Sequence, residues 1–418
     1  MASPGRSEAP AGKALIIVEN NSVPFDRRVW REALALREAG WHVSVICPES
    51  PEDDRLVFND SAAGDYEELE GIHIYRFPMQ FAEHGIVAFL REYMTAFRSS
   101  VRLSRRVLRE QGFDVLQVCN PPDIFFALGA YYRTKGKGFI FDHHDLFPES
   151  VEYRYQGASG RLMHWLAVLF ERWTFRAANV VIATNESYKK IAVKRGHFDP
   201  ADVYVVRNGP ELEFIKDIVP DPSLKNGRPH LACFLGVMGV EDGLEPMMES
   251  IRYVVQDLGR RDIQFVLMGG GRQRYYAVER VSEWNLEDQV LLPGRVPDSE
   301  VKRYLSTADV CLSPDPYTPL NNLSTMNKII EYMAFGKPVV SFDLEEARVS
   351  ADDAAVYVPC GDDRGFGDAI VQLLDDPQRR EKMGQLGRQR VLTKLAWDHQ
   401  KPILREAYEA ALGPGDDA

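Results

Sequence analysis

The chain has 418 residues, more than one hydrophobic core usually serves, and its 45% hydrophobic and 27% charged content is that of an ordinary globular protein; two domains of about 200 residues each are expected. With 62 acidic against 50 basic residues the formal net charge is −12, which excludes a surface built throughout to grip nucleic acid and leaves room only for local basic patches. Five scattered cysteines (47, 119, 233, 311 and 360), without Cys-x-x-Cys spacing or a histidine cluster nearby, read as reduced buried thiols in a cytoplasmic protein and argue against a zinc site.

Residues 1–12 mix Pro, Gly, Ser and charge without an apolar stretch, the composition of a disordered tail rather than a signal peptide, and no later run is long enough to span a membrane. An apolar run at 14–18, a polar loop, a helix-period segment from Arg28 to Ala39 and a second apolar run at 42–46 form a strand, helix, strand unit of a parallel sheet. Runs at 115–118, 138–141, 180–183 and 203–206 continue it and make 13–208 a doubly wound α/β domain. A Pro, Asp and Gly-rich stretch at 220–229 leads into a second series at 230–235, 263–268, 290–292, 310–312, 339–341 and 355–358. These make 209–395 a second domain of the same class. Helix-period sequence follows at 397–412. Ligands of open parallel sheets sit beyond the C-terminal ends of the strands, so two such domains facing one another enclose a cleft, and each polar motif below follows a strand.

The segment 311–343 carries the most chemistry. It reads as a polar loop, one helix of about three turns and a buried strand. Asn322 or Ser324 serves as N-cap, Gly336 as the left-handed C-terminal position, and Pro338 as the stop before Val339. Lys328 and Glu331, three apart, share a face. Helix-start amides with Lys328 can hold a diphosphate while Glu331 accepts from a hydroxyl pair. The bland alternative is a surface pair between the two, worth roughly 0.2–0.5 kcal/mol.

Further motifs stand in a fixed order: Phe-Leu-Gly-Val-Met-Gly at 234–239, Met-Gly-Gly-Gly-Arg at 268–272, Leu-Pro-Gly-Arg-Val-Pro at 292–297 and Ala-Asp-Val at 308–310. Together with the opening segment they resemble glycosyltransferase family 4, over nearly the whole chain after Lys13. The resemblance implies the GT-B architecture and retaining, metal-independent transfer of a sugar from a nucleotide diphosphate donor, UDP- or GDP-linked, with no other cofactor. It places the donor against Gly269, Gly270 and Arg272, the base against the backbone of Arg295 and Val296, and the diphosphate and ribose against Leu323, Ser324, Thr325, Met326, Asn327, Lys328 and Glu331. It also implies that 396–418 crosses back onto the first domain.

Three positions depart from the family pattern. Leu323 stands where a first Glu is usual, and Val237 and Asp242 stand where an Arg and a Lys for the diphosphate are usual. Because uncompensated phosphate charge in a low-dielectric site is costly, other cations are expected to serve, with Lys328, Arg272 and Arg27 or Arg28 as the candidates. In the first domain the loop Asp142-His143-His144-Asp145 matches the family's histidine loop. His144 is expected at the reacting centre, with Asp145 orienting its ring and Glu331 as the third residue of the catalytic set; a histidine that only caps a strand end is the bland alternative. Asn21, Arg27, Arg28 and Asn120 are expected on the acceptor or diphosphate side, against a reading in which Asp26 merely caps a helix bearing solvated arginines.

A dinucleotide site at Gly269–Gly271 is disfavoured because the full Gly-x-Gly-x-x-Gly context is missing. The basic segment 91–109 offers either peripheral contact with an anionic membrane at its inner face or an ordinary solvated helix face, and the apolar segment 162–175 is read as core. The expected partners are a nucleotide sugar and a sugar, lipid-linked or small-molecule acceptor, with no nucleic acid. A catalytically weakened nucleotide-sugar-binding protein and a GT-B epimerase are the competing functions.

Overall fold

The computed structural model describes residues 11–49, 65–79, 86–155, 157–216 and 219–413; of the expected tail, only the last two residues fall among them. The chain divides into two compact units, one comprising Met1–Arg207 with Lys401–Ala418 and the other Asn208–Gln400.

In the first unit the apolar runs become β1 (Gly12–Ile17), β2 (Trp41–Pro48), β5 (Val115–Cys119), β6 (Gly138–His143), β7 (Val180–Ala183) and β8 (Val203–Val205). Two further strands, β3 (Tyr66–Leu69) and β4 (Ile72–Phe77), were not expected from the sequence. They form an antiparallel edge on an otherwise parallel sheet of order β3-β4-β2-β1-β5-β6-β7-β8. Central strands of such a sheet are covered on both faces, which is why Ala14–Ile17 and Val115–Val118 carry almost no exposed surface and read as continuous rather than alternating hydrophobic runs.

The second unit repeats the plan with β9 (His230–Leu235), β10 (Ile263–Met268), β11 (Val290–Gly294), β12 (Val310–Ser313), β13 (Val339–Phe342) and β14 (Ala355–Val358), all parallel, in the order β11-β10-β9-β12-β13-β14. The strand order reverses at β1/β5 in the first unit and at β9/β12 in the second. Loops leaving these strands diverge and leave a crevice, so each unit has one topologically determined binding position.

The last helix, Lys401–Leu412, belongs to the first unit, whereas the turn Trp397–His399 stays with the second, where Trp397 N donates to Pro210 O at 3.0 Å and Leu212 N to Asp398 Oδ2 at 3.1 Å. The returning helix therefore begins at 401 rather than 396. Gly138 allows it to lie against β6: a Cβ there would stand 2.3 Å from the carbonyl oxygen of Ala411.

The single helix expected in 311–343 is two. Thr318 caps a short helix, Pro319–Leu323, by accepting from Asn321 N at 2.9 Å; the chain then extends through Ser324 and restarts as Asn327–Ala334. Asn322 and Ser324 do not cap that second helix. Asn322 Oδ1 accepts from Glu345 N and the Ser324 hydroxyl donates to Leu320 O. Gly336 does take the left-handed conformation, with φ 68°. Four cysteines are buried, Cys360 is half-buried, and all five are free. None of the described helices is long and apolar enough to cross a membrane.

Candidate active site

In the second unit, β9 ends at Leu235 and the chain turns through Gly236, whose backbone runs against the loop that follows β10. Gly236 N donates to Met268 O at 3.1 Å and Met238 N to Gly270 O at 2.8 Å. The approach is so close that a Cβ on Gly269, which has φ +141°, would lie 1.8 Å from Gly236 O. Only glycine fits there. The stem of Arg295 passes beside Gly270, where an added Cβ would be 3.4 Å from its Cγ, and Arg272 is exposed at the end of the loop.

Lys328, in the first turn of the Asn327–Ala334 helix, reaches this backbone: a Cβ on Gly236 would be 3.4 Å from its Cε and Nζ. Its ammonium donates to Asp315 Oδ1 at 2.7 Å, stands 3.6 Å from Asp242 Oδ1 and 4.9 Å from the centroid of Phe234. The surface pair with Glu331 is therefore not formed by Lys328; its partners are the aspartates that follow β12 and β9. Ser313 Oγ donates to the other Asp315 oxygen at 2.5 Å. Burial raises the Asp242 carboxyl pKa, with Lys328 opposing. Met326, at the start of this helix, makes no side-chain cap hydrogen bond, and Lys328 stands in the helix's first turn. Glu331 lies one turn on, half-buried.

In the first unit, Asn120, at the end of β5, organises the histidine loop. Its Oδ1 accepts from the backbone N–H groups of His144 and Asp145 at 2.9 and 3.0 Å, and its Nδ2 donates to Asp145 O at 2.8 Å. The His144 ring is held by Asp142, with Nδ1 3.1 Å from Oδ2. Asp145 does not orient the ring. Its Oδ1 accepts from Leu146 N, and burial raises its pKa. The neighbouring His143 is fully buried, with Nε2 3.2 Å from Glu171 Oε1, a structural partner.

Arg28 also differs from the expectation. Asp26 does cap the first helix, accepting from Val29 N, but Arg28 turns inward and forks onto Asp142, with Nε to Oδ2 at 3.1 Å and Nη2 to Oδ1 at 2.8 Å. It also donates to Val206 O at 3.0 Å and lies 3.1 Å from Glu32. Its N–H groups are engaged by Asp142, Val206 O and Glu32, so Arg28 is not a solvated cation of the loop. Arg27 is exposed beside it, and Asn21 is half-buried in the loop after β1.

Burial alone would push the Asp142 carboxyl up, but Arg28 and then His144 outweigh it and hold it well below the usual carboxylate range. For His144, burial disfavours the charged ring, while the charge and hydrogen bond of Asp142 prevail and raise its pKa. Cys119, Asp142 and His144 offer ligand atoms within 4.8 Å of one another. Both Asp142 oxygens already accept from Arg28, so the cluster reads as an ion-pair network.

Two buried acids nearby were missed from the sequence. Glu19, at the end of β1, is pushed up to about 8 by burial and then by Glu92. Asp123, after β5, is raised well above its ordinary value by burial and then by Glu171. Their position immediately after the two switch-point strands was the available signal.

Comparison with known proteins places one family description on each unit: "Glycosyltransferase Family 4" matches 26–214 and "Glycosyl transferases group 1" matches 229–376. The chain is 25% identical over 395 residues to the phosphatidyl-myo-inositol mannosyltransferase of Mycobacterium leprae, covering 92% of each chain. It is 26% identical over 157 residues to the alpha-D-kanosaminyltransferase of Streptomyces kanamyceticus, a match that takes in 37% of this chain and only 39% of that protein. Among solved structures, Anabaena Alr3699/HepE in complex with UDP-glucose superposes with a TM-score of 0.69 at 14% identity, covering 96% of this chain and 100% of that one. Two parallel-sheet units with a binding position at each switch point, and a family match on each of them, make this chain a GT-B glycosyltransferase of the family 4 type.

Proposed function

We propose that the chain transfers a sugar, with retention of anomeric configuration and without a metal, from a UDP- or GDP-linked donor to a hydroxyl of a sugar, lipid-linked or small-molecule acceptor. The observation that carries this reading is the cradle of the second unit. Lys328, in the first turn of its helix, and the glycine loop 269–271 converge on one backbone turn at the β9/β12 switch point. A lysine and helix-start amides supply the positive potential that a divalent ion supplies in other diphosphate sites. Glu331 takes the ribose hydroxyls, the backbone of Arg295 and Val296 frames the base, and His144 acts at the donor sugar.

In the reaction the bond from the anomeric carbon to the diphosphate oxygen breaks while the acceptor oxygen bonds the same carbon from the same face. The acceptor proton passes to the departing diphosphate. The enzyme's own task is then to stabilise charge on the leaving group, so Leu323 in place of a carboxylate is compatible with turnover. The mannosyltransferase relative acts on a phospholipid by name, and the Anabaena neighbour binds UDP-glucose; they favour a lipid-linked acceptor and uridine respectively.

Thermal shift with UDP, GDP, ADP, CMP and dTDP, each with and without EDTA, tests the reading. A ligand at a hundred times its Kd adds about 2.7 kcal/mol. One diphosphate should raise Tm regardless of EDTA, and His144→Ala should then nearly abolish release of that diphosphate from its sugar donor while leaving stability within about 1 kcal/mol. No shift with any nucleotide, or a shift that EDTA removes, overturns it.

A further inference from the structure

His144 is joined to the last helix of the chain by an unbroken buried hydrogen-bonded path. Its Nδ1 meets Asp142 Oδ2 at 3.1 Å; the Gln117 Nε2 donates to Glu32 Oε2 at 2.7 Å and reaches Asp142 Oδ2 at 3.4 Å; and the Tyr408 hydroxyl donates to Gln117 Oε1 at 2.6 Å. Asp142, Glu32, Gln117 and Tyr408 are all fully buried.

The orientation of the Gln117 amide decides how the path works. Its nitrogen faces two carboxyl groups, Glu32 and Asp142, so its oxygen must face away from them, and the Tyr408 hydroxyl is the donor that it meets there. Without that hydroxyl the amide loses the contact that distinguishes its two ends, and the flipped orientation would set oxygen against oxygen at Asp142. Asp142 in turn carries a full hydrogen-bond complement: Arg28 on both oxygens, Cys119 Sγ at 3.5 Å, Gln117 and His144. A carboxylate so fixed keeps a proton on the imidazole Nδ1, which leaves Nε2 as the free lone pair of the neutral ring.

The same cluster reaches the end of the first unit's main segment and the helix with which the chain re-enters that unit. Arg28 holds Val206 O, one residue before the first unit ends at Arg207, and Tyr408 sits on the helix that begins where the chain returns at Lys401. We infer that Tyr408, Gln117 and Asp142 are positioning residues for His144, so that the returning helix sets the orientation and tautomer of the imidazole as well as covering the sheet. The inference rests on the role given above to His144, and its tests separate the two.

Tyr408→Phe keeps the ring against Trp41, whose centroid is 5.2 Å away, and removes only the hydroxyl. The probe is UDP-glucose or GDP-mannose, whichever nucleotide stabilises the protein. The loss of one net hydrogen bond predicts a fall in kcat of about two- to twelvefold with KM for the donor unchanged, and no further fall when the substitution is added to His144→Ala. Asp142→Asn should lower kcat about a hundredfold or more and move the imidazole proton from Nδ1 to Nε2, read from the ¹⁵N shifts of His144. Gln117→Met cuts the path one link nearer His144 should Tyr408→Phe fail to fold.

An unchanged kcat in Tyr408→Phe, or an equal proportional loss in the His144→Ala background, overturns the inference, as does a His144 tautomer indifferent to Asp142→Asn. Full turnover by His144→Ala instead removes the catalytic assignment of His144 itself. The nitrogen spectra then still report whether the path sets its tautomer.

Discussion

Lys328 is the side chain on which the proposed donor site turns, and replacing it by Met separates its structural role from the proposed one. Met keeps the aliphatic stem against Gly236 and Phe234 and removes the charge. Side chains of Lys328 and Asp315 are 10% and 2% exposed, with nitrogen and oxygen 2.7 Å apart. At an effective dielectric constant of about 20 the pair attraction is roughly 6 kcal/mol, much of it offset by the desolvation of both groups. Leaving Asp315 buried without its partner should cost about 3 kcal/mol, the lower end of what single removal from a buried pair costs, because Ser313 Oγ still donates to the other oxygen. A charge-assisted contact to phosphate is worth about 1.5–3 kcal/mol, so the nucleotide Kd should rise about 10- to 150-fold.

Urea denaturation gives the first quantity and calorimetric titration of UDP and GDP the second. The double variant Lys328→Met with Asp315→Asn distinguishes cause from collateral damage. With the orphaned carboxylate neutralised, stability should return to within about 1 kcal/mol of the native protein, while nucleotide affinity stays lost. Native affinity in the single variant, or its recovery in the double variant, would show that Lys328 does not contact the diphosphate.

Gly269→Ala forces a Cβ to 1.8 Å from Gly236 O at a φ of +141°, so it should cost at least about 3 kcal/mol in thermal denaturation and abolish nucleotide binding; a variant with native Tm refutes the close approach. Glu19, 2% exposed and pushed up to about 8, holds a proton in the folded state that the unfolded chain releases near 4.5. Its contribution is therefore complete below about pH 4.5 and lost as pH rises through about 8, a decline of about 1.4 kcal/mol per unit that Glu19→Gln should remove; equal slopes in both proteins between pH 6 and 8 exclude it. The helix Ile86–Glu110 turns Arg91, Arg98, Arg102, Arg105 and Arg109 outward on one face, so the protein should float with phosphatidylglycerol vesicles at low salt, and Arg98, Arg102 and Arg105 changed together to Glu should abolish flotation. Failure of the native protein to float removes the membrane contact.

Parallel strands buried on both faces were legible because they need uninterrupted apolar residues, and the loops after them were legible because ligands gather there. The edge strand β3 and its neighbour β4 were not: Ile72–Phe77 is interrupted by His73, and its Arg76 is buried where Glu67, Val23 O and Cys47 meet it. The short helix Pro319–Leu323 does have a signal, Thr318 before Pro319, which competes with the caps nearer Lys328. The partner of His144 was also within reach. Residues two apart on extended backbone share a face, which favours Asp142 over the adjacent Asp145. Burial of the apolar segment 162–175 was misjudged, since Leu162 and Trp165 are each 58% exposed, and hydrophobicity alone does not tell a core face from an outward one. The contact of Tyr408 with Gln117, 291 positions apart, has no local sequence signal at all.

The two units share a way of preparing a functional group. Each places one protonatable nitrogen beside a switch-point crevice and fixes it with a carboxylate at most 2% exposed: Lys328 with Asp315, His144 with Asp142. Folding has already met the desolvation cost of these charges, so ligand binding need not meet it again, and the nitrogens cannot relax away from the positions where charge develops. This bears on the departures at Val237, Asp242 and Leu323. Lys328, in the first turn of its helix and locked by Asp315 at 2.7 Å, keeps its geometry when peripheral charges vary. Asp242, standing where a cation is usual, then acts as a second brace on Lys328 at 3.6 Å rather than as a missing ligand.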